Sequence, residues 1–258
     1  MNGKMIPYRM NVTLLQRDIV AAAPAENRRR MEGLLEGLPE TDLVVLPEMF
    51  STGFCTLDRR DTIVYDDGET LPWMQRMAEK YRFALAGSLA CRVTEAVRRN
   101  RFFFVMPDGA VRFYDKKHLF SYAGEERYFT AGDRRVVVEY KGFRFLLQVC
   151  YDIRFPVWSR YRGDYDAIIY VANFPALRIE AWRTLVRARA IENQCYVIAV
   201  NRVGSDQATS YNGYSAVIDA YGEPLTACAD EACIASADLD KRRLDVFRRQ
   251  FPVWRDAD

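Results

Sequence analysis

Cys150 stands between an apolar run and a proline-led turn. Before it, Phe143, Phe145, Leu147 and Val149 alternate with Arg144, Leu146 and Gln148, the period of a mostly buried strand. Tyr151-Asp152 breaks the run, and Pro156 with its neighbouring aromatics suits the first turn of a helix. A cysteine at a strand-to-helix turn can be held strained and exposed, with backbone N–H groups aimed at whatever it attacks. Cys150 is therefore a candidate nucleophile; the alternative is a buried core thiol. The chain has a single histidine, His118. That excludes a multi-histidine metal site and makes any Cys-His or Ser-His-Asp chemistry depend on one residue. Any other general base must be a carboxylate, a lysine or a tyrosine.

Three more polar residues follow apolar runs in the same way. Glu48 comes after Leu43-Val-Val-Leu46, as a general base or simply a cap. Lys116, in Asp115-Lys-Lys-His-Leu-Phe120, comes after the run 111–114, as a catalytic cation or half of a solvated lysine pair. Asn173 comes after Ala167-Ile-Ile-Tyr-Val-Ala172. Open α/β sheets gather ligands beyond the carboxyl ends of their strands, so Glu48, Lys116, Cys150 and Asn173 are expected at one edge.

The elements that must position them can be read in order. Met10, Val12 and Leu14 alternate in a first strand. Met31, Leu34, Leu35 and Leu38 give residues 25–38 a helical period, and Leu71, Met74, Met77, Ala78 and Tyr81 mark a second helix. Further strands are expected at 83–88, 136–140 and 196–200, and a helix at 180–193. Asp108-Gly109 joins the runs 101–106 and 111–114 as a hairpin. Tyr221-Gly222 punctuates a hairpin between 214–219 and 233–238. Strands alternating with helices, interrupted by hairpins, define an α/β layered domain with mixed sheets.

Composition limits the function. The 258 residues carry a net charge of +2, with no reason to propose a nucleic-acid or membrane partner. No apolar run is long enough to span a bilayer, and Arg17 and Asp18 rule out a signal peptide. Six cysteines without a CxxC pair fit reduced thiols in a cytoplasmic protein.

Taken together, the segments around Glu48, Lys116 and Cys150-Tyr-Asp-Ile-Arg-Phe-Pro156 resemble the nitrilase superfamily of carbon–nitrogen hydrolases, over nearly the whole chain. Val171-Ala-Asn-Phe-Pro175, Arg189-Ala-Ile-Glu-Asn193, Asn201-Arg-Val-Gly204 and Phe251-Pro-Val-Trp-Arg-Asp256 point to its omega-amidase branch. The resemblance implies a single domain over 1–258 with a four-layer α-β-β-α sandwich. Its C-terminal tail, from about 239, would pack on the body or on a second subunit of a homodimer or larger homo-oligomer. It implies a Glu48-Lys116-Cys150 triad, with Glu125, seven residues before Gly132, as a second glutamate. Glu126 is the alternative if that alignment slips by one. The implied reaction is hydrolysis of the terminal amide of 2-oxoglutaramate or 2-oxosuccinamate to the 2-oxo dicarboxylate and ammonia, through a cysteine thioester and without metal or organic cofactor. Rival readings are another amide, N-carbamoyl or nitrile substrate, a non-catalytic metabolite-binding homologue, or a redox-sensing thiol protein.

The keto-acid carboxylate asks for a cation, with Arg154 and Arg202 as candidates, although a structural role serves Arg154 equally. Phe120, Phe174 and Tyr151 would form an apolar wall, with Asn173 beside them. His118 is read as a structural residue holding the lysine segment, with a Cys-His dyad as the alternative.

Overall fold

The computed structural model describes residues 8–54 and 63–256. In chain order its strands are β1 (Arg9–Gln16), β2 (Leu43–Val45), β3 (Ala84–Arg92), β4 (Arg98–Val105), β5 (Val111–Asp115), β6 (Val137–Tyr140), β7 (Phe143–Val149), β8 (Ala167–Ala172), β9 (Tyr196–Asn201), β10 (Val203–Ser205), β11 (Ser210–Asn212), β12 (Ala216–Ile218), β13 (Pro224–Ala227) and β14 (Cys233–Asp240). The helices are α1 (Pro24–Glu36), α2 (Thr70–Tyr81), α3 (Pro156–Ser159), α4 (Ile179–Asn193) and α5 (Lys241–Gln250).

Two six-stranded sheets result, ordered β14-β1-β2-β3-β4-β5 and β13-β12-β9-β8-β7-β6. Each has three parallel strands, β1-β2-β3 and β7-β8-β9. Parallel neighbours require crossovers, which α1, α2 and α4 supply between β1 and β2, β2 and β3, and β8 and β9.

Side-chain alternation sets the layers. Leu43 and Val45 of β2, with Ala84 and Ala86 of β3, share one core with Phe145 and Leu147 of the opposite sheet. Val44, Leu46 and Leu85 point the other way, onto Met31 and Leu35 of α1 and Met74 and Met77 of α2. A period of two delivers neighbouring residues to opposite faces. On the second sheet, Trp182, Val186 and Ala190 of α4 close the outer side of the core. Trp182 is fully buried and donates its indole N–H to the Tyr214 carbonyl at 3.0 Å; its truncation to alanine is expected to cost about 3–5 kcal/mol. The architecture is the α-β-β-α sandwich.

Two expectations are corrected. The strands at 214–219 and 233–238 do not form a hairpin. β12 pairs with β13, and the chain then crosses to the other sheet, where β14 runs antiparallel to β1. β13 is a largely exposed edge strand without the alternation that marks its neighbours. Nor are all thiols reduced: Cys228 and Cys233 flank that crossing, with Cα atoms 6.0 Å apart, and form a disulfide. Cys55 lies outside the described residues. After β14, Asp240 caps α5, its side chain accepting from the Arg243 N–H at 3.0 Å. Phe247 then packs on Tyr221, and Trp254 on Tyr161, with ring centroids 4.1 and 5.5 Å apart.

Candidate active site

Glu48, Lys116, Cys150 and Asn173 follow the carboxyl ends of β2, β5, β7 and β8. The first two strands belong to one sheet and the last two to the other. The sandwich joins these edges at one place. Asn173 donates its backbone N–H to Glu48 Oε2 and its side-chain amide to the Glu48 carbonyl, both at 2.8 Å.

Lys116 fills the centre, buried with both its carboxylate neighbours. Its Nζ donates to Glu48 Oε1 at 3.0 Å and to Glu125 at 3.1 Å (Oε1) and 2.8 Å (Oε2). Glu125 also accepts from the Phe120 N–H at 2.6 Å, whereas Glu126 is exposed; the register with Glu125 is the one that reaches the lysine. Gly132 explains its own residue type: a Cβ there would run into the Asp115 carbonyl, and its N–H donates to the Lys116 carbonyl at 2.8 Å. Lys117 is half-buried, its ammonium over the Trp158 ring at 5.6 Å.

Two residues of this machinery escape a reading of the sequence. Asn100, on β4, donates to Glu48 Oε1 at 2.7 Å and Glu125 Oε1 at 3.0 Å, while its own carbonyl accepts from Ser88 at 3.0 Å. Its signal was a neutral polar side chain just ahead of Arg101-Phe-Phe-Phe104. Asp152 is the other. It accepts from the Val149 N–H (3.0 Å), the Tyr114 hydroxyl (2.8 Å) and the His118 N–H (3.0 Å), and pairs with His118 Nδ1 at 2.8 Å. The His118 ring stacks on Phe155 at 3.8 Å. Asp152 and His118 thus tie the lysine segment to the cysteine turn.

Cys150 has φ +44°, a left-handed conformation costly for a side chain with a Cβ. The expected strain is there, but not the expected exposure: the residue is 8% exposed. Burial raises the thiol well above its ordinary pKa; Glu48, within hydrogen-bonding reach, adds to the shift and Lys116 opposes it. Burial disfavours the Lys116 ammonium, but Glu125 and Glu48 outweigh it and raise its pKa well above the usual lysine value. Glu125 is raised by burial and by Glu48, against the Lys116 charge. The cluster therefore holds a fixed ammonium beside a protonated thiol, with a carboxylate in place to take its proton. Among the described residues no group of three or more His, Cys, Asp and Glu is placed to hold a metal ion.

A cavity of about 780 Å³ opens onto Cys150. Phe120, Tyr151, Arg154, Asn173 and Phe174 line it. Arg202 does not. Its guanidinium is buried elsewhere, donating to Asp18 Oδ1 at 2.8 Å, to the Ile19 carbonyl at 3.0 Å and to the Val203 carbonyl at 3.2 Å. The sequence reading also missed Arg178, ahead of α4, and the β10–β11 hairpin, which supplies a further wall. Three-residue strands are too short to show a period.

Comparison with known proteins identifies the family. The model of the carbon-nitrogen hydrolase family matches residues 11–249. The chain is 45% identical over 251 residues to Omega-amidase YafV of Escherichia coli K12, covering 96% of this chain and 97% of that one. It is 33% identical over 250 residues to the 2-oxoglutaramate amidase of Bacillus subtilis 168, covering 95% and 96%. The crystal structure of XC1258 from Xanthomonas campestris, described as a CN-hydrolase superfamily protein with an arsenic adduct in its active site, superposes with a TM-score of 0.91, at 40% identity and 97% coverage of both chains. This chain belongs to the carbon–nitrogen hydrolase family.

Proposed function

We propose that this protein is an omega-amidase that hydrolyses the terminal amide of a short 2-oxo acid, 2-oxoglutaramate or 2-oxosuccinamate, through a thioester on Cys150. The observation that carries the reading is the Lys116 ammonium, pinned between Glu48 and Glu125 beside the Cys150 thiol. A scaffold or binding module has no use for a buried charge cluster at a strained cysteine.

As Cys150 Sγ bonds to the amide carbon, Glu48 takes the thiol proton, since too little thiolate exists beforehand. Charge develops on the carbonyl oxygen, facing the Lys116 ammonium and the Tyr151 N–H; such a donor contributes about 3–4 kcal/mol to lowering the barrier. Glu48 then returns the proton to the nitrogen, the C–N bond breaks and ammonia leaves. Water, oriented by Glu125, attacks the thioester carbon and gives one proton to Glu48; the C–S bond breaks, Glu48 returns that proton to Cys150 Sγ, and the product leaves as the carboxylate with its other proton passed to solvent. Asn100 holds both glutamates at fixed spacing. Arg154, exposed on the cavity wall, adds a positive charge on the side of the cysteine turn. The same reading has a cytoplasmic homodimer or larger homo-oligomer.

The test is ammonia release from 2-oxoglutaramate, beside succinamate, an N-carbamoyl amino acid and a nitrile, with Cys150→Ala as control. Preference for 2-oxoglutaramate is expected, with at least ~10⁴-fold loss of kcat in the variant and unchanged thermal unfolding. Preference for another of these compounds overturns the substrate. Normal turnover by folded Cys150→Ala overturns the mechanism.

A further inference from the structure

We infer that Arg178 is a specificity residue, which grips the carboxylate end of the substrate while the amide end lies at Cys150. The inference rests on the omega-amidase reading and deepens it.

The charge balance of the cavity carries the argument. Among the described residues two arginines line it, Arg154 from the cysteine turn and Arg178 from the turn before α4. Among the described residues, neither guanidinium has an ion-pair or hydrogen-bond partner. The acidic side chain on the described wall, Asp206, is already engaged: Oδ1 accepts from the Ala208 and Thr209 N–H groups at 3.0 and 2.9 Å, and Oδ2 from the Tyr211 hydroxyl at 2.7 Å. Glu180, two residues beyond Arg178, is exposed and bound to Arg183 at 2.8 Å. Among the described residues the cavity thus presents two cations and no free anion. Arg202, two positions before the hairpin's Gly204, shows the contrast, since Asp18 neutralises it.

Arg178 is also held in place. It is half-buried, and its guanidinium lies over the Phe120 and Tyr122 rings, 5.2 and 5.6 Å from their centroids. Stacking on an aromatic face fixes the plane of a guanidinium and leaves its N–H edges free. Phe120 in turn packs on Tyr151, beside the nucleophile, with centroids 5.0 Å apart. The shelf therefore runs continuously from Arg178 to the cysteine turn, and a short chain lying along it would place an amide at one end and a carboxylate at the other. A planar carboxylate accepting two parallel N–H groups is the ligand such a fork fits best.

The experiment measures ammonia release from 2-oxoglutaramate, from glutaramate (which keeps the carboxylate and lacks the oxo group) and from pentanamide (which lacks both), by the unaltered enzyme, Arg178→Ala and Arg178→Lys. Arg178→Ala is expected to lower kcat/KM on both carboxylates by about 10- to 100-fold, mainly through KM, and to leave pentanamide within about twofold. Arg178→Lys should recover part of the loss, because a point charge remains without the fork. If Arg178→Ala keeps the unaltered preference for carboxylates, or loses pentanamide to the same extent, the assignment of Arg178 is overturned and the omega-amidase reading stands. If the unaltered enzyme favours pentanamide over both carboxylates, both readings fall.

Discussion

Strand β8 has a buried ion cluster at each end. At its amino end, Asp166 lies among three cations, with Arg144 at 3.0 Å, Lys241 at 3.1 Å and Arg248 at 3.4 Å. At its carboxyl end, past Asn173, Lys116 lies between two carboxylates. The surplus has opposite sign, and so has its consequence. Around Asp166 burial alone would raise the pKa, yet Arg144 and Lys241 outweigh it and hold the carboxyl below its usual value. That carboxylate is fully ionised and inert, and it clamps α5 to the second sheet. Around Lys116 burial, joined by the surplus acid, raises Glu125 and keeps the Cys150 proton in place. A buried cluster with excess cation locks a charge; one with excess acid stores a proton that chemistry can move.

The contrast breaks most sharply at Glu48. Glu48→Gln should lower kcat/KM by ~10³-fold through loss of the general base. The same change removes a charge that raises the thiol, so the Cys150 pKa should fall even as activity disappears. Iodoacetamide alkylation of Cys150 measured against pH should therefore shift to lower pH; an unmoved profile would remove Glu48 from the thiol's surroundings.

At the other end the effect should be on stability alone. Asp166→Asn leaves three cations around a neutral amide and should cost about 3–5 kcal/mol, read by denaturant unfolding, with kcat/KM unchanged well below Tm. Because the folded pKa is depressed, the contribution of Asp166 is present above about pH 4 and is lost as pH falls through the folded value. The Tm values of variant and parent should accordingly converge in acid. A persistent gap there would mean that packing, not charge, holds α5.

His118→Ala should have the smallest effect, about 10-fold or less in kcat/KM, because the imidazole acts on the site through Asp152. A loss equal to that of Cys150→Ala, in a folded variant, would turn this positioning residue into a catalytic one.

Much of this was legible in the chain. Val149-Cys150-Tyr151, Leu46-Pro47-Glu48 and Ala172-Asn173 each show an apolar run stopping at a polar group, and a strand end is a local event fixed by side-chain period and turn residues. The helices also matched their apolar spacing, with α2 ending where Arg82 takes φ +59°. What failed was non-local. β13 and the β10–β11 hairpin form on pairing partners rather than on their own pattern. The crossing of the chain from β13 to β14 brings Cys228 and Cys233 together without any motif to announce it.

By itself, then, the sequence determined which polar residues stand past the strand ends, because that depends on a few neighbouring side chains. Tertiary structure decided which of them are charged, buried or free. Arg178 and Arg202 each follow a strand end by a few residues, yet one faces a cavity and the other is spent on Asp18, 184 residues away. The state of a long, flexible cation is set by the partner that the fold delivers to it, and no local pattern encodes that partner.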